Sequence, residues 1–410
     1  MKKRYSIAAM VAITVMVLGM ALASNPAQAA EPVVIKVGYT TALSGPAAGW
    51  GMTERLLFES FVDVFNRKGF KVGGKTYNFK MVIVDNKNSS EGGAAAAKQL
   101  IYGDGCKFII GLWTWNFPAI AAVTNPAKVI LMTRTGNEAV PGGVYDPKKM
   151  PYVVFGNPAQ EEFTSDLFAL VAAFPKYKKL GLLDCTLGKG PGWEYVTAAL
   201  DKAGIKYHIE WFPVGTQDFT PYITRYAQAG CDIVYVAGWV GEAMQFAKQR
   251  WEMGYKDMKV GHSGPFITPR AYISVCGKDA AQGFIAEYFA PWDYKKTKVK
   301  GEYIKMCREA MKLASQKQGR PFTYTGGIGW FPSHLLILAQ AMEKAGTVDD
   351  TDAIMGAIRG GTFSTTTGTW TMSGAKTYGS PIVFGTAGAL STIKGDKEVY
   401  LSEYPMKPLP

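Results

Sequence analysis

Short apolar segments alternate with amphipathic ones along most of this chain. The apolar segments are rich in valine and isoleucine and are bounded by glycine, proline or aspartate, which is typical of strands buried on both faces. A first series predicts strands over residues 35–40, 79–85, 107–112 and 129–133, and a second over residues 152–155, 180–184, 207–212, 232–237 and 259–262.

Helical stripes lie between these runs. Two are clear, one formed by Leu57, Phe58, Phe61, Val62 and Phe65 and the other by Ala243, Phe246, Ala247 and Trp251. Alternating strands and helices predict parallel sheets with right-handed crossovers. The two series therefore predict an α/β protein of two doubly wound lobes, with a seam at residues 155–158.

The C-terminal part has a different pattern. Helices are predicted over residues 303–316, 329–344 and 352–358, and the chain is rich in threonine, glycine and serine from residue 362, with a β-like run at 382–384.

Residues 1–29 are predicted to be a secretory signal peptide. Basic residues at positions 2–4 precede an uncharged, mostly apolar run, and Ala27-Gln-Ala29 is a small-residue cleavage site. The alternative is an uncleaved membrane anchor, since the run is long for a signal peptide, but the Asn25-Pro26 break favours cleavage. The rest of the 410-residue chain suits two domains in the periplasm.

Charge and cysteine content narrow the function only slightly. Cleavage lowers the formal net charge from +12 to +9, and the lysines lie in short runs typical of solvated surface, with no nucleic-acid-binding motif.

Five cysteines remain. Cys106, Cys185 and Cys231 border apolar runs as small buried hydrophobes do, whereas Cys276 and Cys307 are the one disulfide candidate.

No catalytic or metal-binding set emerges from the sequence. The three histidines, His208, His262 and His334, have no metal-ligand spacing, and we interpret each as structural. There is no G-x-S-x-G elbow, no phosphate loop and no dinucleotide fingerprint. We expect no enzyme, no metal and no cofactor.

Tryptophans and hydroxyl side chains instead cluster after the predicted strands. Ligands of open α/β sheets bind beyond the carboxyl ends of the strands. The turn after the first strand carries Ser44, with Trp50 in the following helical turn. Later strand ends carry Trp113, Trp115, Trp193 and Trp239. If the two lobes face each other through these ends, the cleft between them has aromatic walls.

Several segments in this order carry a family resemblance. They are residues 35–39 with Leu43-Ser-Gly-Pro-Ala-Ala48, Val84-Asp85, Ile109-Ile-Gly111, residues 212–220 and residues 231–238. Together they resemble the type I periplasmic solute-binding proteins, specifically the leucine/isoleucine/valine-binding family that serves ABC importers. The resemblance covers nearly the whole mature chain.

The resemblance implies two Rossmann-like lobes joined by a hinge of three crossing strands. Lobe one would comprise residues 31–155 and 290–378, and lobe two residues 156–289 and 379–410. It also implies a monomer that delivers a small molecule to a membrane permease and its ATPase.

By position, the resemblance also implies a ligand site. Trp50 matches an aromatic residue that packs on the ligand, and Trp239 stands where amino-acid binders have a tyrosine. Trp113, Thr114, Trp115 and Asn116 replace a loop that binds the ligand carboxylate, and Arg134 with Thr135 replaces a Ser-Ala-Thr segment. The expected site is completed by Ser44, Trp193 and Ser263.

Two departures from the family pattern bear on the ligand. Amino-acid binders hold the α-ammonium partly with a glutamate where this chain has His262-Ser-Gly-Pro265, and a buried ammonium without a counter-charge is costly. Arg134 adds a guanidinium suited to a carboxylate. We therefore expect a carboxylate with an aromatic or apolar body. A branched-chain amino acid, an amide, and a sensing module without transport remain alternatives.

Overall fold

The computed structural model describes residues 31–45, 48–111, 116–133, 145–156, 159–237, 240–262, 269–289, 299–322 and 330–406. Within these residues the chain forms two large sheets, each with helices packed against it, and the predicted two-lobe α/β fold is confirmed. In the same residues, no helix has both the length and the apolar composition needed to cross a membrane.

The first sheet has six strands in the order β2-β3-β1-β4-β5-β6. They are β1 (Val33–Thr41), β2 (Phe70–Val72), β3 (Lys75–Asp85), β4 (Phe108–Gly111), β5 (Ile130–Thr133) and β6 (Val153–Phe155). All neighbours pair in parallel except β2 and β3. These two strands are joined by Gly73 and Gly74, both with positive φ, as a tight two-residue hairpin requires.

The second sheet has seven strands in the order β15-β14-β11-β10-β9-β7-β8. In chain order they are β7 (Leu180–Cys185), β8 (Tyr207–Phe212), β9 (Ile233–Val236), β10 (Lys259–His262), β11 (Ile285–Phe289), β14 (Thr386–Lys394) and β15 (Lys397–Met406). A separate two-stranded hairpin, β12 (Thr362–Thr365) and β13 (Gly368–Thr371), precedes β14. Strands β7 to β11 are parallel, and β14 and β15 add an antiparallel edge.

The helices surround the two sheets. They are α1 (Ala48–Asn66), α2 (Ser90–Lys98), α3 (Phe117–Thr124), α4 (Ala159–Ala173), α5 (Pro191–Lys202), α6 (Thr220–Gln228), α7 (Val240–Glu252), α8 (Pro269–Cys276), α9 (Glu302–Gln318), α10 (Trp330–Ala345), α11 (Thr351–Ile358) and α12 (Ala375–Tyr378). Helix α9 packs along α1, and α10 contacts both α1 and β2. The late helices therefore belong to lobe one.

All nine strands predicted from apolar runs are present. The pattern groups residues 152–155 with the second series, whereas the predicted seam at residues 155–158 and the lobe-one range of 31–155 place them in lobe one. Strand β6 pairs in parallel with β5 at the edge of the first sheet, which agrees with the lobe range and not with the grouping. The antiparallel strands β14 and β15 lie beyond both predicted series.

The chain passes between the lobes three times, after β6, after β11 and before β14. The last of these crossings differs from the expected boundary between residues 378 and 379. Ile382 and Val383 still pack with Tyr145 and Phe155 of lobe one, and Val383 forms an isolated parallel bridge with Phe155. The predicted β-like run at 382–384 amounts to the isolated bridges of Val383 with Phe155 and Ser373.

The disulfide expected as one alternative is not formed. All five cysteines are free and buried. Cys276 ends α8, where its thiol donates to the carbonyl oxygen of Met244 at 3.2 Å, whereas Cys307 is fully buried on α9. The two residues lie in different lobes, so flanking the same lysine-rich segment does not bring them together.

Candidate functional site

The carboxyl ends of the parallel strands position the predicted site. In the first sheet, β1, β3, β4 and β5 end at Thr41, Asp85, Gly111 and Thr133. Ser44 follows the first of these ends and Asn116 the third. Several predicted residues lie outside the described residues, namely Trp113, Thr114, Trp115, Arg134, Thr135, Trp239 and Ser263. Trp50 lies in the first turn of α1, and its side chain is also outside them.

A carboxylate at the end of β3 holds the turn after β1. Asp85 accepts hydrogen bonds from the Ser44 hydroxyl at 2.5 Å and from the backbone N–H groups of Leu43 at 2.9 Å and Lys87 at 2.8 Å. Partial burial raises the pKa of Asp85, but these donors outweigh it and hold the pKa below its ordinary value of 3.8. The turn that leads to Trp50 is therefore fixed by an ionised side chain.

Ser44 thus has a positioning contact in this structure. Its hydroxyl proton is committed to Asp85, which leaves the oxygen as an acceptor on the exposed surface of the turn. Sequence reasoning assigned no role to Asp85. The sequence feature that could have indicated this role is an acidic residue at the end of a strand predicted to lie beside the strand that precedes the serine turn.

Asn116 begins α3 and is fully buried. Within the described part of the chain, neither atom of its side-chain amide has a hydrogen-bond partner, and its side chain makes no capping bond to the helix. Burying an amide without hydrogen bonds lowers the stability of the fold, so this side chain has the capacity to bind a polar group of a ligand. It sits directly after the segment 112–115, in which three further predicted contacts fall.

Trp193 is part of the interior of lobe two. Its side chain is 5% exposed, its indole N–H donates to Asp184 at 2.8 Å, and its ring packs edge to face against Trp211 at 5.7 Å. Asp184, at the end of β7, also accepts from the backbone N–H of Cys185 at 2.7 Å. In this arrangement the indole supports the loop after β7 from within the lobe.

The position before Ser263 is occupied by a neutral histidine. His262 ends β10, is 2% exposed, and its Nδ1 lies 2.6 Å from the carbonyl oxygen of Val236 on β9. Burial lowers the pKa of His262 to about 4, with the Val236 bond acting in the opposite direction. The end of β10 therefore presents no charge at neutral pH.

Nothing in the described part of the chain assembles a metal or catalytic centre. No group of three histidine, cysteine, aspartate or glutamate side chains within it is placed to hold a metal ion. The three histidines lie apart, His208 beside Glu210 on β8, His262 at the end of β10 and His334 on α10.

Comparisons with known proteins agree with this architecture. The family model described as periplasmic binding protein matches residues 34–382. A curated relative, Leu/Ile/Val-binding protein homolog 3 of Brucella melitensis, is 25% identical over 354 residues, covering 85% of this chain and 89% of that protein.

Solved structures share the fold at lower identity. A solute-binding protein of an ABC transporter from R. palustris, in complex with 4-hydroxybenzoate, has a TM-score of 0.71 at 18% identity and covers 92% of this chain and 98% of its own. The substrate-binding protein LivJ from Streptococcus pneumoniae, in complex with isoleucine, has a TM-score of 0.70 at 17% identity, covering 92% and 100%.

The match to the family model spans the first sheet and strands β7 to β11 of the second. The relatives are solute-binding proteins and not enzymes. The chain belongs to the periplasmic binding protein family, as a type I solute-binding protein of the kind used by ABC transporters.

Proposed function

We propose that this protein captures a small organic carboxylate with an aromatic or apolar body in the cleft between its lobes and delivers it to an ABC importer. The observation that carries the choice of ligand is the neutral end of β10. By the family resemblance, the stretch His262-Ser-Gly-Pro265 corresponds to the place where amino-acid binders carry a glutamate for the ligand ammonium, and it contains no acid. His262 itself is buried, with its pKa lowered to about 4 by desolvation. A buried ammonium would have no counter-charge there.

The remaining contacts are proposed from their places after the strands. Trp50, Trp113, Trp115 and Trp239 form the aromatic walls, and Arg134 pairs with the carboxylate as a bidentate donor. Thr114, Asn116, Thr135 and Ser263 supply polar contacts, while Ser44 positions the turn that leads to Trp50 and Trp193 supports the loop after β7. Closure of the lobes is a population shift driven by contacts that need both lobes.

The proposal includes the protein's surroundings. The chain works as a monomer in the periplasm after cleavage of residues 1–29, and its partners are a membrane permease and an ATPase. The relatives support this setting, since they are solute-binding proteins of ABC transporters.

A branched-chain amino acid is the second candidate ligand. Curated relatives are named Leu/Ile/Val-binding proteins, and one structural neighbour holds isoleucine. For this candidate the ammonium must find carbonyl or hydroxyl acceptors in place of an acid.

A thermal-shift screen separates the candidates. The mature protein, refolded to strip bound ligand, is tested with benzoate, 4-hydroxybenzoate, leucine, isoleucine and benzamide. A ligand at about a hundred times its Kd adds about 2.7 kcal/mol, and each kcal/mol moves the midpoint by about 2–4 °C, so a hit shifts it by about 5–10 °C.

Arg134→Gln should abolish the carboxylate shifts, whereas the matched control Arg55→Gln should keep them, because Arg55 pairs with Glu59 on the surface of α1. Shifts with leucine or isoleucine alone would overturn the proposed ligand class. Carboxylate shifts that survive Arg134→Gln would remove Arg134 from the site.

A further inference from the structure

Two of the three crossings between the lobes run side by side. The first leaves β6 at Phe155 and Gly156, and the last passes through residues 382–385 before β14. The backbone N–H of Phe155 donates to the carbonyl oxygen of Ile382 at 3.0 Å, and Phe155 forms a parallel bridge with Val383. A rotation of one lobe against the other must therefore be taken up at or directly after this paired segment.

A fully buried histidine from lobe one lies against both crossings. His334, on the second turn of α10, packs edge to face on Phe384 with ring centroids 5.8 Å apart. It lies so close to Gly156 that a Cβ there would overlap its Nε2 and Cε1 atoms. The first crossing therefore needs glycine for steric reasons.

The imidazole of His334 lacks hydrogen bonds in this arrangement of the lobes. Neither ring nitrogen of His334 has a hydrogen-bond partner among the residues that the structure describes, although both are shielded from solvent. Burial lowers the pKa of His334 to about 3, so the ring is neutral and still carries one N–H. A buried N–H without an acceptor disfavours the state that contains it.

A second aromatic ring packs on the last crossing in the same way. A Cβ on Gly385 would overlap the six-membered ring of Trp370, which belongs to β13. Trp370 differs from His334 in being satisfied, because its indole N–H donates to the Thr367 hydroxyl at 3.2 Å. Of these two rings, only the imidazole leaves its polar atoms unpaired among the residues that the structure describes.

We propose that His334 is a hinge-positioning residue whose contact with Gly156 and Phe384 sets the balance between this arrangement of the lobes and a second one. In the second arrangement the crossings move away from α10, and the imidazole N–H gains a backbone or water acceptor. The residue thereby controls ligand affinity without touching ligand. This inference rests on the proposed closure of the lobes around a ligand.

Pulsed EPR distances between the lobes test the proposal without any ligand. Spin labels are placed at Glu91→Cys and Glu194→Cys, exposed positions in the first turns of α2 and α5 that follow strand ends of the two lobes. The five native cysteines are buried, so labelling is directed to the introduced thiols. The reference is the label distance calculated from the arrangement described above.

Two variants should shift the populations in opposite directions. His334→Leu removes the unpaired N–H and should raise the share of the described arrangement over the alternative by about tenfold. Gly156→Ala introduces the overlap and should lower that share. Adding His334→Ala to Gly156→Ala should restore it, because the ring that caused the overlap is gone.

Gly181→Ala is the matched control. A Cβ there would meet the Tyr226 ring at 2.8 Å inside lobe two, so it should lower stability and leave the distance distribution unchanged. Identical distributions in the wild type and His334→Leu would overturn the proposal even if Gly156→Ala does not fold. A failed ligand screen would contradict the proposed function and leave this ligand-free result standing.

Discussion

Each lobe has an aspartate near the carboxyl edge of its sheet that accepts a hydrogen bond from a following segment. Asp85 ends β3 and holds the turn after β1, and Asp184, one residue before the end of β7, holds Trp193 at the start of α5. Asp85, with its lowered pKa, fixes its turn with a charge-assisted hydrogen bond, which is stronger than a neutral one. The turn that leads to Trp50 is therefore anchored by a carboxylate, and Asp184 accepts from the indole that supports the loop after β7.

The Asp85 contact predicts a pH-dependent contribution to stability. Its pKa lies below 3.8 in the folded protein, so the contribution is complete above the unfolded value and is lost as the pH falls below about 4. Asp85→Asn should lower the free energy of unfolding by about 1 kcal/mol at neutral pH. The difference from wild type should shrink between about pH 5 and about pH 3 in urea titrations.

The exposed Asp279 provides the control for this series. Asp279→Asn should have little effect at either pH, since surface substitutions usually stay within about 0.5 kcal/mol. A difference for Asp85→Asn that is constant with pH would contradict the role given to its charge.

Substitutions of Trp193 and Trp50 should have different effects, the first on the stability of the fold and the second on ligand affinity. Trp193→Phe removes the donor to Asp184 and should lower the free energy of unfolding by about 1–3 kcal/mol. Affinity for whichever panel compound binds should change little, because the indole is 5% exposed. Trp50→Ala should instead weaken binding by about 2–4 kcal/mol with the fold intact. Calorimetric titration and chemical unfolding of both variants check this, and the reverse pattern would contradict it.

Among the contacts between secondary-structure elements, the packing of α9 against α1 attaches a late helix to lobe one. Helix α9 buries small side chains, Cys307, Ala310 and Ala314, which allow a close approach to α1. Around this contact, Lys68 pairs with Glu302 at 3.3 Å, Lys317 with Asp63 at 2.8 Å, and Arg67 with Glu309. The helix ends at Gly319, whose φ of 68° is left-handed and suits glycine.

Close packing between α9 and α1 should contribute more to the free energy of unfolding than these ion pairs do. Ala310→Leu inserts a larger side chain into a fully buried position and should lower the free energy of unfolding by about 1–3 kcal/mol. Lys317→Ala removes a partly exposed ion pair and should lower it by less than about 1 kcal/mol. Guanidinium unfolding at moderate salt compares the two variants. A larger loss for Lys317→Ala would show that charge, and not close packing, holds α9 in place.

The hinge is the main feature at the scale of the whole molecule. A bond between Cys276 and Cys307 would tie α8 of lobe two to α9 of lobe one, and its absence leaves lobe motion to the crossings. Burial raises the pKa of Cys276 to about 11 and that of Cys307 well above its ordinary value, which keeps both as unreactive thiols.

A thiol count tests this directly. Reaction with an aromatic disulfide reagent should find all five thiols in denaturant and almost none in the folded protein. A reductant should leave the thermal midpoint unchanged. Only three thiols in denaturant, together with a midpoint that falls on reduction, would establish a disulfide.

Much of the local structure was predictable from sequence, because its signal is local. Apolar runs such as residues 233–236 and helical stripes such as Leu57, Phe58 and Phe61 reflect which faces are buried, and the structure confirms both. The position of the serine turn at the end of β1 was also readable, since it follows from chain order.

What only the tertiary structure decided are contacts between residues far apart in the chain. The sequence pattern does not show that Ser44 donates to Asp85, that Trp193 donates to Asp184, or that His334 contacts Gly156. Such pairings leave no periodic signal, because each depends on how whole elements pack. The sequence by itself determined the elements, the two-lobe class and the candidate edge of each sheet, and packing between distant segments decided which side chains hold that edge and the hinge in place.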